Sequence, residues 1–432
     1  MTREATAINR LMSITILVFL TQLWAVLPAV TSADPGIRSV AKKLIKVGHT
    51  PLPDYIRAHI RTMERHPFDG LVFRLHAAGG RYFFQPRPLD PKEFEADFKD
   101  LQAIKWEKFT DNFILVWTAA GEKLDWFNDE HWNAIEHNIQ LVAKAARLGR
   151  CGIALDLETY LKDRTGGVNN IWSYAVAPHR SIRSFAEYRA MVHRRGRRFI
   201  QVIQKEMPHA TIFTYFHMSI LRKMMVAGPV SRQEEMLLNE QYALVPAFIG
   251  GMLEASDSQV RIIDGNEPAF WYQSRQQYLT AYHLLTDRGR MFLDRSLWPA
   301  FRAHGSVGQA VYIDECVATR QRKSLASHMS PDERAKFLEH NVYWALYTAD
   351  EYAWCFDQTI DWWKSRPRGT PAWNKGMPLG CEAAISAARQ KIASGQPLGF
   401  DLGPIIASAH RRRETTQRIQ AELDTPDQEG KK

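Results

Sequence analysis

Short apolar runs alternate along this chain with longer stretches whose apolar positions recur every three or four residues. The first run, residues 44–47, ends at Gly48-His49-Thr50, and residues 53–65 follow with a helical pattern. Runs at 71–75, 113–117, 152–157, 211–216, 247–253, 309–313 and 351–356 read as further strands. Helical periods fall at 133–148, 184–206, 272–285 and 331–346. Residues 133–148 show the pattern well, with Ile135, Ile139, Val142 and Ala146 on one face. Repeated strand–helix alternation calls for parallel strands joined by crossover helices. Eight such units predict an α/β fold, a single-domain (β/α)8 TIM barrel spanning 34–405. Residues 260–263 also look like a strand and are read as an excursion in the loop after the sixth strand. A doubly wound open sheet is the competing fold, but no Gly-x-Gly-x-x-Gly follows the first strand.

The two ends stand apart from this alternation. Arg3 and Arg10 precede an apolar run over 14–28, and Thr31-Ser32-Ala33 offers small residues for cleavage. Residues 1–33 therefore read as a signal peptide, with a retained anchor as the alternative, and the mature chain is expected to be secreted or periplasmic. No later stretch is long and apolar enough for a membrane span. Residues 406–432 form a polar, charged tail. The net charge of +9 is concentrated partly in Arg194, Arg195, Arg197 and Arg198 and in Arg411, Arg412 and Arg413. Such runs are solvated helix faces, and no nucleic-acid motif accompanies them. The four cysteines are irregularly spaced, so buried thiols are expected rather than a disulfide framework, and no Cys/His cluster marks a zinc site.

Acidic residues gather at the strand ends. In Ile153-Ala154-Leu155-Asp156-Leu157-Glu158 alternation puts Ala154, Asp156 and Glu158 on one face. At the carboxyl end of a barrel strand such acids belong to the catalytic mouth. Glu254, Asp264, Glu267, Asp314, Glu315 and Asp357 stand at or after other strand ends. Paired carboxylates across a barrel mouth suit glycoside hydrolysis, one protonating the leaving oxygen and the other attacking or activating water. Glu158 is taken as the general acid, tuned by Asp156, with Asp314 or Glu267 as its partner. Asp314 is expected to share the inward face of Tyr312, and Glu315 lies just beyond. Asp350 and Glu351 begin the last strand, at the bottom of the barrel, where charge serves stability.

Substrate contacts are expected from His49, Arg74, His76, Trp117, Tyr215, His217, Asp264, Glu315 and Trp354. Arg74 shares a face with His76 and is placed either to hold a catalytic carboxylate or to bind an anionic group of the substrate. Aromatic rings are abundant, at 11% of residues, and one or two of them would serve as sugar platforms. Two other functions fit the same residues. One is a non-catalytic glycan-binding barrel. The other is a metal-dependent hydrolase or isomerase using His49, His76 and His217 with Asp314. No cofactor is expected.

Four segments, Glu64-Arg65-His66-Pro67-Phe68-Asp69-Gly70, Asp156-Leu157-Glu158-Thr159-Tyr160, Ile263-Asp264-Gly265-Asn266-Glu267 and Tyr312-Ile313-Asp314-Glu315, resemble a group of secreted bacterial proteins related to glycoside hydrolases. The likeness covers most of residues 40–360 and implies a TIM barrel with an acidic mouth. It does not imply a particular substrate. Leu157 stands where the large retaining clan has an asparagine before its acid.

Overall fold

The computed structural model describes residues 41–80, 82–118, 124–159, 170–227, 233–319, 324–364 and 376–424. The proposed leader, residues 1–33, lies outside them. Nine strand segments make one all-parallel sheet: β1 Lys43–Val47, β2 Gly70–Phe73, β3 Phe113–Trp117, β4 Gly152–Asp156, β5 Thr211–Thr214, β6 Arg261–Asp264, β7 Gly305–Val307, β8 Gln309–Tyr312 and β9 Tyr352–Phe356. Their order is β7-β6-β5-β4-β3-β2-β1-β9-β8. The two ends of this sheet, β7 and β8, are separated in the chain by Gly308 alone, so the sheet curls into a nearly closed barrel. Gly308 donates its N–H to Asp264 O at 2.7 Å. A Cβ there would lie 3.0 Å from Tyr352 O and 3.2 Å from Gly265 Cα. Glycine thus allows the bend where the ladder changes partners, β7 pairing with β6 and β8 with β9.

Buried strands explain their continuous apolar runs: helices cover the outside of the sheet and side chains fill its inside. Phe113 packs against Phe213 at 5.5 Å and Tyr352 at 5.7 Å, and Phe213 against Trp354 at 6.0 Å. The floor of the barrel is therefore packed rings. At its lower end Asp350 accepts Val307 N–H at 2.8 Å and Tyr282 OH at 3.0 Å, a structural role.

The run at 247–253 is a helix, Val245–Glu254, rather than a strand. The strand it displaced is β6, over the residues read as an excursion. The helix is buried on almost every side, so it lacks the polar face that marks a helical period. Its glycines serve a crossing with the helix Phe185–Glu206. A Cβ on Gly251 would lie 1.9 Å from His193 O, and one on Gly196 would lie 2.1 Å from Phe248 O. Glu254 ends that helix on its outer side, beside His193 and Arg197 at 3.3 and 3.6 Å, away from the mouth.

Other helices carry the caps their sequences announce. Ser184 and Glu187 form a capping box at one helix start, and Ser330 and Glu333 at another. The tail forms a helix over Gly403–Asp424. Cys151, Cys316, Cys355 and Cys381 are all buried and unpaired. Among the described residues no helix is long and apolar enough to cross a membrane.

Candidate active site

A cleft of about 1370 Å³ opens at the carboxyl ends of the strands. Asp156 and Glu158 leave β4 on its wall. Asp156 Oδ1 accepts the Glu158 backbone N–H at 3.0 Å, a local turn that competes with further strand. Trp117 at the end of β3 donates its indole N–H to Glu158 O at 2.7 Å. Glu158 is thereby held from both sides through its own backbone.

Glu267 reaches the same place from the end of β6. Asn266 adopts a left-handed conformation, φ 46°, which asparagine tolerates better than most residues. The turn lets Glu267 N–H bond Tyr215 O at 3.0 Å and begin the short helix Glu267–Trp271. The Glu267 carboxyl hydrogen-bonds that of Glu158. Burial first, then the charges of Glu158 and Asp156, hold the Glu267 carboxyl well above the usual carboxylate range. Its Oε2 is buried and meets no N–H or hydroxyl donor among the described residues. A proton between the two carboxyls satisfies both facts, because carboxylates in contact do not both ionise.

Tyr242 overlooks this pair. Its phenol is raised by burial, then by Glu158, Glu267 and Asp156. It stays a neutral donor beside three acids. Nothing in the sequence marked it, because it lies between helices in a stretch without period. The cleft lining also includes Glu240, Arg222 and Lys223.

Aromatic rings line the rest. Tyr215 stacks on Trp354 at 4.9 Å and 15°, and Trp354 donates to Gly265 O at 2.7 Å. Phe270 packs 5.0 Å from Trp354 and stacks at 5.6 Å on Phe356. Trp271 stands at the mouth with 58% of its surface exposed, its ring 6.1 Å from Tyr312.

Beneath them Lys46 and Asp357 form an ion pair at 2.9 Å, both side chains fully buried. Trp362 also donates to Asp357 Oδ2, at 2.8 Å. Burial pushes the Asp357 carboxyl up to about 6, against the pull of Lys46. His49 lines the cleft here and donates Nε2–H to Gln358 O at 2.6 Å. Arg74 lines it too, with Nε 3.4 Å from Thr50 O.

Five residues expected at the site do not line the cleft. Asp314 is wholly buried and binds Gln358 N–H at 2.6 Å and the hydroxyls of Thr319 and Thr359. The reason is that β8 ends at Tyr312 and the chain turns into the helix Ile313–Val317, which also takes Glu315. Asp264 is a buried hub, accepting Ser219 N–H at 2.8 Å, Ser219 Oγ at 2.6 Å and Asn266 N–H at 3.0 Å. His217 lies beside it at 3.2 Å and accepts Met218 N–H at 2.7 Å. His76 is held by Asp97 at 2.7 Å and faces Asp54 at 3.3 Å. The three histidines of the metal reading thus serve separate partners, and among the described residues no group of three or more His, Cys, Asp or Glu is placed to hold a metal ion.

Compared with known proteins, the chain matches no family model and no curated sequence.

Proposed function

We propose that this chain is an exported glycoside hydrolase of the type its strand-end motifs resemble. Counting β7 and β8 as one stave bent at Gly308 makes the barrel (β/α)8. The observation that carries the reading is the contact between the Glu158 and Glu267 carboxyls in an aromatic-lined cleft. Carboxyls in contact leave no room between them for the attacking water that inverting enzymes hold across about 6.5–9.5 Å, which favours direct attack of one carboxylate on the sugar.

The sequence assigned the proton to Glu158. Burial and the charges of Glu158 and Asp156 favour the proton on Glu267 instead. Glu267 then protonates the leaving oxygen, and Glu158, oriented by the turn at Asp156, attacks the anomeric carbon. Tyr242 holds a hydroxyl of the sugar or the Glu158 carboxylate. Stacking on Trp271 and the ring cluster around Trp354 binds the sugar faces.

The test is hydrolysis of a glycan panel and of aryl glycosides by wild type, Glu158→Gln and Glu267→Gln. Glu267→Gln should lose natural substrates and keep aryl glycosides whose leaving group needs no proton. Glu158→Gln should lose both. Activity that survives both substitutions refutes the assignment. Binding of glycans without turnover of any would instead support a non-catalytic glycan-binding barrel.

A further inference from the structure

Resting on the reading of this cleft as a carbohydrate site, we propose that it takes an acidic glycan, whose carboxylate or sulfate is bound by Arg222 with Lys223 beside it.

Both cations line the cleft. Arg222 is half-buried and Lys223 exposed. Arg222 makes no ion pair or hydrogen bond among the described residues, whereas fully buried Arg195 is neutralised by Asp129 at 2.6 Å and half-buried Arg389 by Asp69 at 2.6 Å. A guanidinium partly withdrawn from water and left without a carboxylate is suited to a planar anion, which it can bind through two parallel N–H donors.

The cation is also held in place. Arg222 follows Ser219–Leu221 directly, and Ser219 is fixed to buried Asp264 through both its N–H and its hydroxyl. That short segment packs against Glu267–Trp271. The charge of Arg222 acts on Tyr272, the neighbour of exposed Trp271. The segment leading into Arg222 thus packs beside the one that ends in Trp271, and both side chains line the cleft. A pyranose stacked on Trp271 would turn its anionic group to Arg222. Asp54 and Glu240 also line the cleft and repel an anion at their own positions.

The test uses the full chain and three sets of oligosaccharides: uronate-containing, sulfated and neutral. Calorimetric binding is measured on Glu158→Gln, alone and combined with Arg222→Gln or Arg222→Lys, and turnover on wild type and Arg222→Gln. Acidic oligosaccharides should bind roughly tenfold or more tightly than neutral ones, and Arg222→Gln should remove most of that preference. Arg222→Lys should restore part of it. Preference in the uronate set assigns a carboxylate, and in the sulfated set a sulfate. Equal binding of neutral and acidic sugars, or a preference that Arg222→Gln leaves intact, overturns the proposal without touching the hydrolase reading. Acidic sugars bound through Arg222 but never cleaved overturn the hydrolase reading and keep this one. Failure to bind any glycan overturns both.

Discussion

Replacing Lys46 by methionine would leave Asp357 as a buried carboxylate without its counter-charge. In the native chain the pair is 2.9 Å apart with neither side chain exposed. Asp357 titrates at about 6 rather than 3.8. That difference corresponds to about 3 kcal/mol, at about 1.4 kcal/mol per pH unit. The folded state holds the proton more tightly than the unfolded chain. The resulting stability is fully present below the unfolded value and is lost as pH rises through 6. Methionine removes the ammonium pulling the carboxyl down, so the folded value climbs further. At about pH 8 Lys46→Met should therefore cost about 3–5 kcal/mol, the range for breaking one side of a buried pair. At about pH 5 Asp357 is neutral in the variant, and the loss should shrink to about 1 kcal/mol. Adding Asp357→Asn should recover most of the stability at the higher pH, since an amide oxygen still accepts from Trp362. Urea unfolding of the wild type and the two variants at both pH values measures this. A loss equal at the two pH values, or no recovery in the double variant, would refute the reasoning.

The same electrostatics shape activity. With Glu267 protonated above the usual carboxylate range, turnover of natural glycans should persist to higher pH than an ordinary carboxylic acid allows and fall as Glu267 ionises. The aryl-glycoside profile of Glu267→Gln should lack that alkaline limb; an unchanged limb would place the proton elsewhere. Gly251→Ala brings a methyl to 1.9 Å from His193 O and should destabilise the fold by about 1–3 kcal/mol; an unaltered melting temperature would sink the close-crossing argument. Trp271→Ala should raise KM about five- to tenfold, the size of one lost stacking contact, with kcat little changed. A fall in kcat alone would remove Trp271 from the binding wall.

Much of the barrel was legible because its strands are short apolar runs bounded by turn residues. β3 coincides with its predicted range, and β1, β4 and β9 differ from theirs by one residue at an end. The failures have one cause. Residues 247–253 are apolar on every side in the structure, and periodicity cannot distinguish a wholly buried helix from a buried strand. Once that helix was counted as a strand, β6 looked superfluous. The site divides in the same way. Alternation along β4 places Asp156 and Glu158 on the wall of the cleft. It misplaces Asp314, because alternation holds only while the strand continues and β8 stops at Tyr312. Tyr242 lies in a turn and Arg222 opens the short helix Arg222–Ala227, elements too brief for a period, whose position depends on tertiary anchors such as Asp264.

The four buried cysteines have a consequence for handling the protein. Within the fold, burial pushes the thiols up, Cys355 to about 12, so they are poor nucleophiles at neutral pH. Unfolding removes that protection from all four together. In an oxidising medium the opened chain would cross-link at random, and a heat scan without reductant would record a rate of inactivation in place of an equilibrium. Refolding would return only if a reductant kept the sulfurs single. The folded chain ignores its redox surroundings, while the unfolded chain retains a covalent memory of them.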